Sequence, residues 1–162
     1  MLIHFSSDFS YNQKGFIANW TSTVASSCPA QSVSDNFSSI SYSQNSGSQN
    51  WSGNWSEVGE SDGTSAGIAR VHGGLCASGN CLRLGVPSGD SPQNFSNRGI
   101  YRETDLSSAS SAALSFVYLT GTSQGNMTVI LSISNNGGSS WTDLQSYYID
   151  SSNYSAVSAS FD

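Results

Sequence analysis

Met127-Thr128-Val129-Ile130-Leu131-Ser132-Ile133, followed by Ser134-Asn135-Asn136-Gly137-Gly138, decides the fold class. The odd positions Met127, Val129, Leu131 and Ile133 make one apolar face, while Thr128 and Ser132 interrupt the other. A period of two is the spacing of a strand, whose successive side chains point to opposite faces. Asn135-Asn136-Gly137-Gly138 then supplies residues that tolerate a left-handed backbone, as a tight hairpin turn requires, and the chain returns through Trp141.

The same alternation extends outward from this hairpin. Leu82, Leu84 and Val86 alternate, as do Val157, Ala159 and Phe161. Short strands are expected at 50–58, 67–72, 81–86, 99–104, 113–120, 126–134, 140–149 and 155–161. Turn residues separate them roughly every 8–12 residues, the mark of a sandwich. Near the start, strands are expected at 2–5 and 15–20, with a polar loop between them. Nowhere do apolar residues recur at helical spacing over about ten residues. The expected class is all-β, an antiparallel β-sandwich.

Composition narrows the setting. The chain has 162 residues, enough for one ordinary domain. Charged residues are 10%, well below the usual ~25%, and the net charge is −6. With one Lys and four Arg, no basic cluster exists to neutralise phosphates, so nucleic acid is excluded as a partner. No apolar run approaches the ~20 residues of a membrane span, and Met1-Leu2-Ile3 is too short for a signal-peptide core. Aromatics at 11% argue against a disordered chain.

One triplet recurs: Asn, a bulky apolar residue, then Ser or Thr. It begins at Asn19, Asn36, Asn50, Asn54, Asn94, Asn126 and Asn153. Each is an N-glycosylation acceptor pattern, which places the chain outside the cell, secreted or on a surface. With 13 Asn and 46 Ser or Thr in the chain, about four such triplets would arise by chance, so the count alone decides little. The central residue is more telling, because it is Trp, Phe, Trp, Trp, Phe, Met and Tyr in turn. On a strand, that residue would face the core while Asn and Ser or Thr face water. Strand alternation in a Ser- and Asn-rich chain would by itself produce some of these triplets. The expectation is that several are glycosylated.

Trp51 and Trp55 belong to two of the triplets. In one strand they would share a face about 13 Å apart. Exposed, they would suit stacking on sugar rings; buried, they are core. Their polar neighbours favour the buried reading. Cys76 and Cys81 flank a turn and are expected to form a disulfide, as an oxidising compartment allows. Cys28 is left over and is open to a partner in a missing segment or another chain.

No catalytic activity is expected. Gly63-Thr64-Ser65-Ala66-Gly67 and Gly121-Thr122-Ser123-Gln124-Gly125 match the spacing of a nucleophile elbow. The elbow needs a following helix, and strand-like or hairpin sequence follows here. His72 has no fold argument as a base for Ser65. Glu57, Glu60 and Asp62 form an acidic cluster, to be read as a solvated loop, a calcium loop or paired glycosidase carboxylates. The solvated loop is the expected reading.

Phe5-Ser6-Ser7-Asp8-x-Ser10, then Gly15-Phe16-x-Ala18-x-Trp20, resembles the C-terminal end of a CUB domain, an extracellular β-sandwich. The family more often has Tyr where Trp20 stands. The resemblance covers about 20 residues and implies a CUB-like hairpin whose remaining domain would precede residue 1. It also implies a metal role for Asp8, a calcium ligand in calcium-binding members, with Ser10 or Asn12 able to add an oxygen. Without the family's other acidic loops, Asp8 reads as a loop-capping residue.

Trp51, Trp55 and Glu57, with Cys81-Leu82-Arg83-Leu84, Arg102-Glu103-Thr104-Asp105-Leu106-Ser107, Ala113-Leu114-Ser115-Phe116-x-Tyr118 and Ser132 to Trp141, resemble a jelly-roll module of secreted and cell-surface proteins. The expected organisation is a CUB-like piece at 1–23, a Ser/Pro linker at 24–34 and a jelly-roll-like sandwich at 35–162, cut short at its C-terminus. The expected role is an extracellular structural or adhesive part of a larger surface, matrix or filament-forming protein. Its partners would be other extracellular proteins or copies of itself joined by strand addition. The alternative is a non-catalytic carbohydrate-binding appendage of a secreted enzyme. No cofactor is expected beyond calcium at Asp8.

Overall fold

The structure is a computed structural model that describes residues 1–7, 14–23, 31–74, 76, 78–85, 97–119, 127–149 and 156–161. Ten strands are described: β1 (Leu2–Ser7), β2 (Lys14–Thr23), β3 (Ser56–Val58), β4 (Ala69–Gly73), β5 (Asn80–Leu84), β6 (Arg98–Glu103), β7 (Ser111–Leu119), β8 (Met127–Ser134), β9 (Thr142–Ile149) and β10 (Ala156–Phe161). No helix occurs among the described residues. Each strand overlaps one expected from the sequence.

Two antiparallel sheets result. One has the order β3-β6-β1-β8-β9 and the other β10-β7-β2-β5-β4. Their inner faces share one hydrophobic cluster. Ile3, Phe5, Ile100, Val129 and Leu131 come from the first sheet; Ala69, Val71, Leu82, Leu84, Leu114 and Phe116 come from the second. Phe5 meets Phe116 edge-on across the gap, with ring centroids 5.7 Å apart. Aromatic pairs prefer this geometry to a face-to-face sandwich.

The opening hairpin behaves as its sequence requires. β8 pairs antiparallel with β9, with Val129 and Leu131 buried. Gly137 and Gly138 both take positive φ, 70° and 82°. The Ser134 hydroxyl accepts the Gly138 amide at 2.9 Å and closes the turn. The Cys76–Cys81 disulfide is formed, with Cα atoms 5.8 Å apart, and Gly79 turns between them at φ 55°.

Two expectations are corrected. Residues 2–5 and 15–20 do not form a CUB-like hairpin, because they lie in different sheets. β1 is hydrogen-bonded to β6 on one side and β8 on the other. β2 lies between β5 and β7. The first 23 residues therefore supply a central strand to each sheet. The reason is burial: Ile3 and Phe5 are almost fully enclosed, and a two-stranded hairpin gives no such cover.

The second correction concerns residues 50–58, expected as one strand. Only Ser56–Val58 is strand. Residues 31–55 instead form a long irregular segment bonded to β6 and to itself. Ser52 donates its amide to the Glu103 carbonyl at 3.0 Å, and Trp55 donates its own to the Tyr42 carbonyl at 3.0 Å.

Candidate functional site

The irregular segment 31–55 carries three acceptor triplets, and its folding separates their inner and outer residues. Asn36, Asn50 and Asn54 are exposed. Phe37, Trp51 and Trp55 are buried, at 0%, 6% and 2% exposure. The expected division of inside and outside therefore holds at these three sites. Its cause is not strand alternation, because none of the three lies in a strand. Trp51 and Trp55 have ring centroids 6.0 Å apart rather than the extended spacing.

A buried ion pair folds this segment inward. Asp35 is fully enclosed, and its Oδ2 lies 2.8 Å from Arg102 Nη1. The same oxygen accepts the Trp55 indole N–H at 2.9 Å, and Oδ1 accepts the Phe37 amide at 2.8 Å. Arg102 also donates to the carbonyls of Gly53 and Gln44, at 2.9 and 2.8 Å. Its guanidinium lies over the Trp51 ring, 4.8 Å from the centroid. One carboxylate and one guanidinium thus gather both Trp side chains and Phe37.

Burial pushes the Asp35 carboxyl up from its ordinary value; the Phe37 amide, the Trp55 indole and Arg102 oppose that push. Burial likewise lowers Arg102 to about 10 against the pull of Asp35.

Each exposed Asn is differently placed. The Asn36 side-chain oxygen accepts the Ser38 amide at 3.1 Å, an Asx turn spanning its own triplet. Its amide nitrogen, the atom a glycan would be joined to, has no partner among the described residues. Asn50 and Asn54 flank Gly53, and both side chains are open to solvent. Asn19 lies in β2. Asn94, Asn126 and Asn153 lie outside the described residues.

The acidic cluster is absorbed into a loop. Glu57 accepts the Tyr42 hydroxyl at 2.8 Å and the Gly63 amide at 3.1 Å. Glu60 accepts the amides of Ile68 and Ala69 at 3.0 and 2.7 Å. These carboxylates therefore organise the turn that leads into β4, a more specific role than the solvated loop expected. Among the described residues, no group of three or more His, Cys, Asp or Glu is arranged to hold a metal ion. Asp8, Ser10, Asn12 and Cys28 lie outside them.

Glu60 also predicts a pH dependence. Burial raises its titration, while the Ile68 and Ala69 amides oppose the rise. A carboxyl raised in the folded state contributes stability that is full below its unfolded value of 4.5 and lost as pH rises through the folded value. Urea midpoints between pH 4 and 7 are expected to fall less steeply in Glu60→Gln than in the parent chain. Equal slopes would refute the assignment.

The Gly63–Gly67 turn leads into β4, with no helix following. His72 Nδ1 is engaged by Arg83 Nη1 at 3.1 Å. The geometry of a nucleophile elbow is absent there. The second elbow-like stretch, 121–125, lies outside the described residues.

On the outer face of the first sheet, one row of side chains crosses four strands. Tyr101, His4, Ser132 and Asp143 stand in successive register. Trp141 covers His4 at 4.7 Å and Tyr101 at 6.0 Å between ring centroids. The Ser132 hydroxyl donates to Asp143 at 2.7 Å, so it is committed away from His4. Burial lowers the His4 titration, with Asp143 opposing. A neutral ring suits its place under Trp141. Gly99 stands against this ring because a Cβ there would strike the Phe5 carbonyl.

Sequence reading missed the Asp35–Arg102 pair. A weak signal exists in the alternation of Ile100 and Arg102, which puts a rare cation on the inward face of a strand. A half-open hollow beside Ser32, Gln49 and Thr104 has room for water.

Comparison with known protein families, curated proteins and solved structures finds no match to this chain.

Proposed function

We propose that this chain is an extracellular, N-glycosylated structural or adhesive β-sandwich that works within a larger surface, matrix or filament-forming protein. The observation that carries the reading is the geometry at Asn36, Asn50 and Asn54. Each Asn is exposed while the next residue is buried. A glycan on any of the three extends into water without disturbing the core. The disulfide agrees with an oxidising compartment. The jelly-roll likeness belongs to the same reading, as do calcium at Asp8 and extracellular partners. No catalytic step is part of it.

The test is intact mass. Secreted from a eukaryotic host, the chain is expected to lose several glycan masses on treatment with an N-glycosidase. Asn36→Gln, Asn50→Gln and Asn54→Gln are each expected to remove at most one. An unchanged mass after glycosidase treatment would overturn the reading. The carbohydrate-binding alternative rested on an exposed Trp51 and Trp55, and their burial withdraws that support.

A further inference from the structure

We infer that β9 is a self-pairing edge: two copies of this chain join by antiparallel β9–β9 addition, extending the first sheet across a twofold axis. This deepens the structural reading by naming the partner. Its test uses unglycosylated protein, so the two can fail separately.

An edge strand presents unpaired backbone groups, and proteins usually guard such edges with Lys, Pro, short length or a β-bulge; β9 has a bulge at Leu144, and residues 145–149 beyond it are its regular edge. β9 is eight residues long and contains no Lys, Arg or Pro. The other three edge strands are shorter: three residues in β3, five in β4 and six in β10. Among the described residues, β9 holds two of the three exposed large hydrophobics, Leu144 at 38% and Tyr148 at 62%. The bulge opposite Leu131 and Ser132 leaves Leu144 as the unpaired residue of β9.

These features are self-complementary. An antiparallel pair centred on Ser146 sets Leu144 of each copy opposite Tyr148 of the other. Cross-strand apolar pairs of this kind stabilise a ladder. The one charge on the strand, Asp143, falls opposite residue 149 of the other copy. The two Asp143 residues then stand about 20 Å apart, so no like charges face each other. Two of the proposed glycan sites agree. Asn50 and Asn54 belong to the segment bonded to β6, and three strand spacings, roughly 14 Å, separate β6 from β9. Sugars there leave β9 clear.

The experiment is sedimentation velocity over a concentration series. It uses the 162-residue chain made without glycans, with Cys28→Ser to exclude a covalent dimer. A concentration-dependent dimer is expected. Leu144→Lys and Tyr148→Lys are each expected to weaken it about tenfold. The pair Leu144→Glu with Tyr148→Lys sets Glu opposite Lys twice and is expected to restore it. Circular dichroism checks that each variant retains its strands. A chain that stays monomeric to about 1 mM, a dimer indifferent to both Lys variants, or failure of the Glu/Lys pair to restore it would each overturn the proposal. Capture of a different protein's strand on β9, with the chain itself monomeric, would overturn it too.

Discussion

Replacing Asp35 with Ala is expected to lower the unfolding free energy by about 3–5 kcal/mol, measured by equilibrium urea unfolding. The loss has two parts. Arg102, almost fully buried, keeps its charge in a poorly solvated place without its counter-ion. The Phe37 amide and the Trp55 indole each lose an acceptor, and a buried unsatisfied donor costs about 1–3 kcal/mol.

The two halves of the pair are not independent. Burial drives the carboxyl up and the guanidinium down, so both charges are held against a desolvation cost. Removing both together, as in Asp35→Leu with Arg102→Met, is expected to recover part of the loss, because no lone charge remains. The unsatisfied donors remain, so recovery is incomplete. A double variant less stable than Asp35→Ala would show that the guanidinium holds the segment chiefly through the Gly53 and Gln44 carbonyls. Lowered pH probes the same site. The folded Asp35 carboxyl titrates above its unfolded value of 3.8, so its contribution is full below that value and fades as pH rises through the folded one.

Within a single acceptor triplet, the central residue and the Asn are expected to behave oppositely. Trp55→Ala should cost about 3–5 kcal/mol, the range for removing a buried large aromatic side chain. Trp55 packs beside Phe37 and Trp51, with ring centroids 6.3 and 6.0 Å away, and donates to Asp35. Asn54→Gln should leave stability within about 0.5 kcal/mol, because Asn54 is exposed. Thermal or urea unfolding of the two variants, side by side, checks this. Similar losses in both would mean that the Asn is structural and the triplet no free glycan acceptor. Trp55→Ala and Asp35→Ala share a hydrogen bond, so their losses should add to more than the double variant shows.

Strand positions were legible in the sequence because period two survives any context that buries one face. Val129 and Leu131 point inward, and the Asn135 to Gly138 turn closes where its residues demand positive φ. The Cys76–Cys81 bridge was legible for the same local reason, since a turn of four residues brings the two sulfurs together. The 50–58 stretch was misread, because polar and aromatic alternation there imitates a strand. The segment satisfies its backbone through Tyr42, Glu103 and Asn45 instead. The role of Glu57 and Glu60 was hidden, because an acidic cluster looks alike whether its carboxylates meet water, a metal or backbone amides.

The sequence by itself determined most of the strands, the hairpin turn and the disulfide. All of these follow from neighbours within a few residues, through side-chain alternation, turn chemistry and hydrophobicity. Only the tertiary structure decided that β1 and β2 sit mid-sheet in separate sheets, that Asp35 meets Arg102 across 67 residues, and that β9 is an edge among the described strands. Strand pairing and buried charge pairing depend on which distant segments exclude water together. No local pattern encodes that choice, because the same alternating strand can fill a centre or an edge.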